Sequence, residues 1–112
     1  MSYDIALYID VDTGGPEPKR FWPGGPGNYT SNVTPMWEKA LGYPLRDLAD
    51  KRAGDCVADL KRAAADMTAN PQTYEAMNPP NGWGDYSGAL MYLRDLRDAC
   101  IAFPDATVDI CC

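Results

Sequence analysis

The sequence contains no histidine. With it goes the commonest general base of enzymes and a leading zinc ligand. Basic residues are scarce as well: ten Lys and Arg stand against sixteen acids, thirteen of them Asp, for a net charge of −6. A protein that grips a phosphate backbone needs a basic stripe to release counterions, so nucleic acid is not an expected partner. No apolar run approaches the ~20 residues of a membrane-spanning helix, and no membrane association is expected. The opening Met1-Ser2-Tyr3-Asp4 places an acid where a secretory signal carries positive charge. The expected location is therefore the cytoplasm, where the sequons at Asn28 and Asn32 have no role.

Four cysteines are present, Cys56, Cys100, Cys111 and Cys112, without a Cys-x-x-Cys pair. In a reducing compartment that spacing is not a disulfide framework. Cys56 and Cys100 fall on apolar helical faces and read as small core residues. Neither a metal nor any other cofactor is expected.

What is there fits an ordinary folded chain. Hydrophobic residues make up 46% of the 112 residues and charged residues 23%, the usage of a single globular domain spanning residues 1–112. Ten Gly and ten Pro gather mainly in three clusters, where they mark irregular backbone. Tyr3, Ile5, Leu7 and Ile9 alternate with polar partners up to Val11, the pattern of a half-buried strand. From Asp12 to Asn32 the glycines and prolines indicate a long excursion, with a short strand near Lys19 to Trp22. Thr34-Pro35 signals a helix start with Thr34 as N-cap, and Gly42 its end.

A further turn follows Pro44. Cys56, Val57, Leu60, Ala64 and Met67 recur at helical spacing from Gly54 to Asn70. One or two turns over Gln72 to Met77 come next. The last helix begins behind Asp85 as cap and runs from Tyr86 to Phe103, with Arg94 and Asp98 spaced to pair. Ala106 to Cys112 alternates again. The expected fold is α/β (α+β): a small sheet formed by the N- and C-terminal strands, covered by three to four helices.

Little of this carries catalysis, and no Ser or Cys has a recognisable activating partner. Asp10-Val11-Asp12-Thr13-Gly14 at a strand end has the acids of a cation site. Yet Thr13 comes one place too early for the opening of a haloacid-dehalogenase-type phosphatase, and Phe21 stands where an EF-hand needs Glu. A solvated strand end is the plainer reading, and a metal-dependent hydrolase using Asp10 and Asp12 the alternative. Gly24-Gly25-Pro26-Gly27 lacks the Lys and the amide donors of a phosphate loop and reads as open loop.

Two segments remain: Asn28-Tyr29-Thr30-Ser31-Asn32, leading to Thr34, and Asn78-Pro79-Pro80-Asn81-Gly82-Trp83-Gly84-Asp85-Tyr86. Their amides and hydroxyls suit turns and helix caps. Their aromatics, beside residues too small to cover them, suit a contact surface equally well. Asn28, Tyr29, Thr30, Ser31, Asn32, Asn78, Asn81, Trp83, Asp85 and Tyr86 are the candidate binding residues. Trp22, Trp37 and Trp83, each at a loop–helix junction, are expected near one another.

These two segments, with Met36-Trp37, Leu93-Arg94-Asp95-Leu96 and the opening Tyr3-Asp4-Ile5, resemble a group of short uncharacterised proteins from actinobacteria and their bacteriophages. The resemblance covers most of the chain and brings no catalytic residues with it. It implies an accessory protein of a phage or prophage that binds a host protein. The other expectation is sequestration of a small, nucleotide-type ligand, its base stacked on Trp83, Tyr86 or Tyr29.

Overall fold

The computed structural model describes residues 2–112. In chain order it contains β1 (Ser2–Val11), β2 (Lys19–Thr30), a 3-10 turn (Ser31–Val33), α1 (Thr34–Leu41), a second 3-10 turn (Leu45–Leu48), α2 (Ala53–Ala69), α3 (Pro71–Glu75), α4 (Tyr86–Ala102) and β3 (Thr107–Cys111). The architecture is α+β, an antiparallel sheet in the order β2-β1-β3 with the helices packed on one face.

The alternation of β1 works as the sequence indicated. Tyr3, Ile5 and Leu7 are buried, and they meet Met36, Trp37, Leu60, Leu93 and Leu96 in one core. The terminal strands pair from Asp4↔Cys111 to Tyr8↔Thr107, so Val108 joins that core from the far end of the chain. The outer side of β3 is stitched to the chain before α2: Asp50 N–H donates to Val108 O at 2.8 Å, and Val108 N–H to Lys51 O at 2.9 Å.

The main departure is β2. The Asp12-to-Asn32 excursion and the open loop at Gly24 to Gly27 do not exist as such, because β2 runs through most of that stretch. Its register on β1 passes Ile5↔Gly27, Leu7↔Gly24 and Ile9↔Phe21. Each step sets three β2 residues against two of β1, which is the spacing of a β-bulge. An edge strand tolerates Pro23 and Pro26 because half its N–H groups face no partner, and prolines there also discourage pairing with another chain. Gly25 has φ +149°, and a Cβ on it would lie 2.7 Å from Ala6 Cα. The glycines and prolines therefore shape a bulged strand rather than interrupting one.

Two smaller expectations also change. Thr34 is the first residue of α1, not its cap; its hydroxyl donates to Ser31 O, while Thr30 Oγ1 accepts from Asn32 N–H at the preceding turn. Arg94 does not pair with Asp98: α2 and α4 pack closely enough that Arg94 Nη2 donates to Thr68 Oγ1 at 2.9 Å, leaving Asp98 with Arg97 Nε at 2.9 Å. Gly42 ends α1 in the left-handed region, φ +88°, as its position indicated. Among the described residues no helix is long and apolar enough to cross a membrane.

Candidate binding cleft

The end of β2 distributes its side chains to two sides of the sheet, as a strand must. Tyr29 turns toward the helices, where its ring stacks on Tyr92 with centroids 5.8 Å apart and lies 6.2 Å from Trp37. Asn28 and Thr30 turn the other way, opposite Asp4 and Ser2 of β1. Tyr29 is thus part of the packed interior and not an aromatic face offered to a ligand.

Its hydroxyl has a second task. Tyr29 Oη accepts from Asp85 N–H at 3.2 Å, a contact between residues 56 positions apart that fixes the approach to α4 on the end of β2. Two glycines permit this closeness. A Cβ on Gly84 would lie 2.5 Å from Thr30 Cγ2, and one on Gly88 would lie 2.0 Å from Tyr29 Oη. The helix starts after Thr34 and after Asp85 are therefore neighbours, and the two polar segments form one surface.

Asparagine and aspartate side chains hold the second segment in shape. Asp85 Oδ1 accepts from Gly88 N–H at 2.7 Å as the cap of α4. Asn78 Oδ1 accepts from Tyr86 N–H at 2.7 Å, and Asn81 Oδ1 from Trp83 N–H at 3.0 Å. Tyr86 folds inward, stacking on Tyr74 and donating its hydroxyl to Met67 O at 2.6 Å. Of the ten candidates, Tyr29, Asn78, Asp85 and Tyr86 thus support the structure, and Ser31 lies in the turn with its carbonyl engaged by Thr34.

The other five converge. Asn28, Thr30, Asn32, Asn81 and Trp83, joined by Ser2, line a cleft of about 540 Å³. Ser2 was missed because nothing in its local sequence marks it; only the register Ser2↔Thr30 brings it there. Trp83 is 68% exposed, the most exposed large apolar side chain described. Asn28 Nδ2 donates to Ser2 Oγ at 2.9 Å. Among the described residues, the carboxamide of Asn32 and the amide nitrogen of Asn81 make no hydrogen bond and stand open to the cleft. Every one of the six lining side chains is uncharged. A groove of about 610 Å³ between α2 and α4 differs on this point, carrying Lys61, Arg94, Arg97 and Asp98.

The tryptophans do not assemble. Trp37 is fully buried, its Nε1–H donating to Ala89 O at 3.0 Å, while Trp22 lies on the β1–β2 hairpin against Tyr8. That hairpin also accounts for Asp10. Both of its carboxylate oxygens accept from Arg20, at 2.7 and 3.0 Å, and the Arg20 hydrogen bond holds the Asp10 carboxyl below the usual range. Arg20 in turn sits 3.8 Å over the ring of Tyr8. Asp12 accepts from Gly14 N–H at 2.9 Å in a turn. Among the described residues, no group of three or more Cys, Asp or Glu side chains is placed to hold a metal.

Cys56 and Cys100 are buried, and burial pushes the Cys100 thiol up to about 12. Cys111 and Cys112 are exposed. No protein-family model, curated protein or solved structure matches this chain.

Proposed function

We propose that the chain is a non-enzymatic binding protein and that the Trp83 cleft is its recognition surface. The observation that carries this reading is the convergence of five uncharged side chains from two distant segments, among them the exposed indole of Trp83 and, among the described residues, the unpaired carboxamide of Asn32 and the unpaired amide nitrogen of Asn81. Trp83 lies outside the apolar core, and an exposed Trp is the usual anchor of a binding surface. Among the described residues that line the cleft there is no Cys, Asp, Glu, Lys or Arg.

Following the resemblance to short phage and actinobacterial proteins, the partner is a host protein, met by a phage or prophage accessory protein in the host cytoplasm. Affinity capture from an actinobacterial lysate, run in parallel with wild type and Trp83→Ala, tests this. Recovery of the same proteins at the same yield by both would remove the cleft from the interaction.

A second reading is supported by the size of the cleft, which falls in the ~300–1,000 Å³ range of small-molecule sites. In that reading the protein sequesters a compact ligand. A nucleotide fits less well than a neutral compound, because among the described residues no lining side chain offers a cation to a phosphate. Thermal-shift measurements across nucleosides and nucleotides test it, and a flat response to all of them would count against a base in the cleft.

A further inference from the structure

Resting on the small-ligand reading of the same cleft, we infer that its ligand is a neutral saccharide, one sugar ring lying flat on Trp83 with its hydroxyls on the asparagines. The chemistry of the lining separates this class from the others. The exposed Trp83 lines the cleft together with Ser2, Asn28, Thr30, Asn32 and Asn81. A pyranose has the complementary character: one face of C–H groups, attracted to the negative π face of an indole, and a rim of hydroxyls that both donate and accept.

A carboxamide presents a donor and an acceptor side by side, so it meets two neighbouring hydroxyls at once. The Asn32 carboxamide and the Asn81 amide nitrogen are unpaired among the described residues, and Asn28 retains its Oδ1 after donating to Ser2. A nucleobase asks for a different site. It is apolar on both faces and is gripped between two aromatic or apolar side chains, whereas Trp83 is the one such side chain among the described residues lining the cleft. A phosphorylated ligand would meet no cation among the described lining side chains, and the net charge of −6 with Asp4 on the same sheet face repels it.

The three tryptophans provide the assay. Trp83 lies in the cleft, Trp37 in the core with its Nε1–H bonded to Ala89 O, and Trp22 on the hairpin. The three indole N–H signals of the 15N-labelled protein are assigned by Trp→Phe substitution. They are then followed during titration with glucose, galactose, mannose, N-acetylglucosamine and their disaccharides, and in parallel with adenosine and AMP.

The expected result is a saturable shift of the Trp83 signal with at least one saccharide while the Trp37 and Trp22 signals stay still. Trp83→Ala abolishes binding measured by calorimetry. Asn32→Ala, which removes hydrogen bonds only, weakens it by up to about tenfold. Raising NaCl to 1 M leaves the affinity within about twofold, since no ion pair forms.

Movement of Trp83 with adenosine and with no saccharide would overturn the sugar assignment and leave the small-ligand reading standing. Stillness of Trp83 with every compound would overturn both.

Discussion

Gly88→Ala sets two effects of known size against each other at the joint of the cleft. Gly88 is the third residue of α4, and an alanine in a helix is favoured over glycine by ~0.8–1.0 kcal/mol. Propensity alone therefore expects a more stable protein. The added Cβ, however, would stand 2.0 Å from Tyr29 Oη and 2.7 Å from its Cζ, where ordinary contact begins near 3.4 Å. The hydroxyl would have to retreat by about 1.4 Å, the difference between 3.4 and 2.0 Å. The Tyr29 ring has little room for that, with Tyr92 at 5.8 Å and Trp37 at 6.2 Å.

Overpacking of this kind costs ~1–3 kcal/mol, and loss of the Asp85 N–H bond a further ~0.5–1.5 kcal/mol. Set against the propensity gain, the net is a destabilisation of roughly 0.5–3.5 kcal/mol. With a urea m-value of ~1–3 kcal/mol/M, the unfolding midpoint drops by about 1 M. In a Tyr29→Phe background the nearest obstacle is Cζ, so the same substitution should cost less, giving a coupling of at least ~0.5 kcal/mol in the double-mutant cycle. A Gly88→Ala protein more stable than wild type, or strict additivity with Tyr29→Phe, would refute the claim that this contact locks the two segments together.

The other predictions concern residues whose roles the structure separates. Trp83→Ala should leave stability within ~0.5 kcal/mol of wild type, whereas Trp37→Ala, which empties the core and removes the indole hydrogen bond to Ala89 O, should cost ~3–5 kcal/mol in the same urea titration. Asp85→Ala removes the cap at Gly88 N–H and should cost ~0.5–2 kcal/mol, read as a lower midpoint. In native protein at pH 8, a thiol reagent should label Cys111 and Cys112 rapidly, with Cys56 and Cys100 reacting only after urea is added; four fast thiols would contradict the packing. Burial raises the Cys100 thiol from 9.0 to about 12, so the folded state favours the neutral form. The stability this contributes is complete below the unfolded value near 9 and is lost as pH rises through about 12, which chemical denaturation at pH 7 and pH 10.5 will show as a decline.

Much of the fold was legible in the residues themselves. The alternation in β1 and the spacing in α2 and α4 encode burial directly, because which side chains face inward follows from a period of two or of 3.6. Caps were legible where the side chain acts locally, as Asp85 does for α4, and less so where a neighbouring turn takes over, as Thr30 and Ser31 do ahead of Thr34. Arg94 left Asp98 for Thr68 because a partner on another helix competes with one on its own.

Glycine and proline were the least informative. The residues alone establish one apolar core, which faces its strands and long helices bury, and an acidic balance of sixteen carboxylates against ten Lys and Arg with no histidine. Tertiary structure decided the rest. Pro23 to Gly27 reads as loop by local preference, yet an edge position and two bulges let it pair, and that pairing carries Asn28 and Thr30 to Ser2. Whether Tyr29 and Tyr86 pack inward while Trp83 stays out depends on which neighbours arrive from elsewhere in the chain. Period and propensity act over a few residues, whereas a cleft is made where distant segments meet, as the hydroxyl of Tyr29 meets the backbone of Asp85.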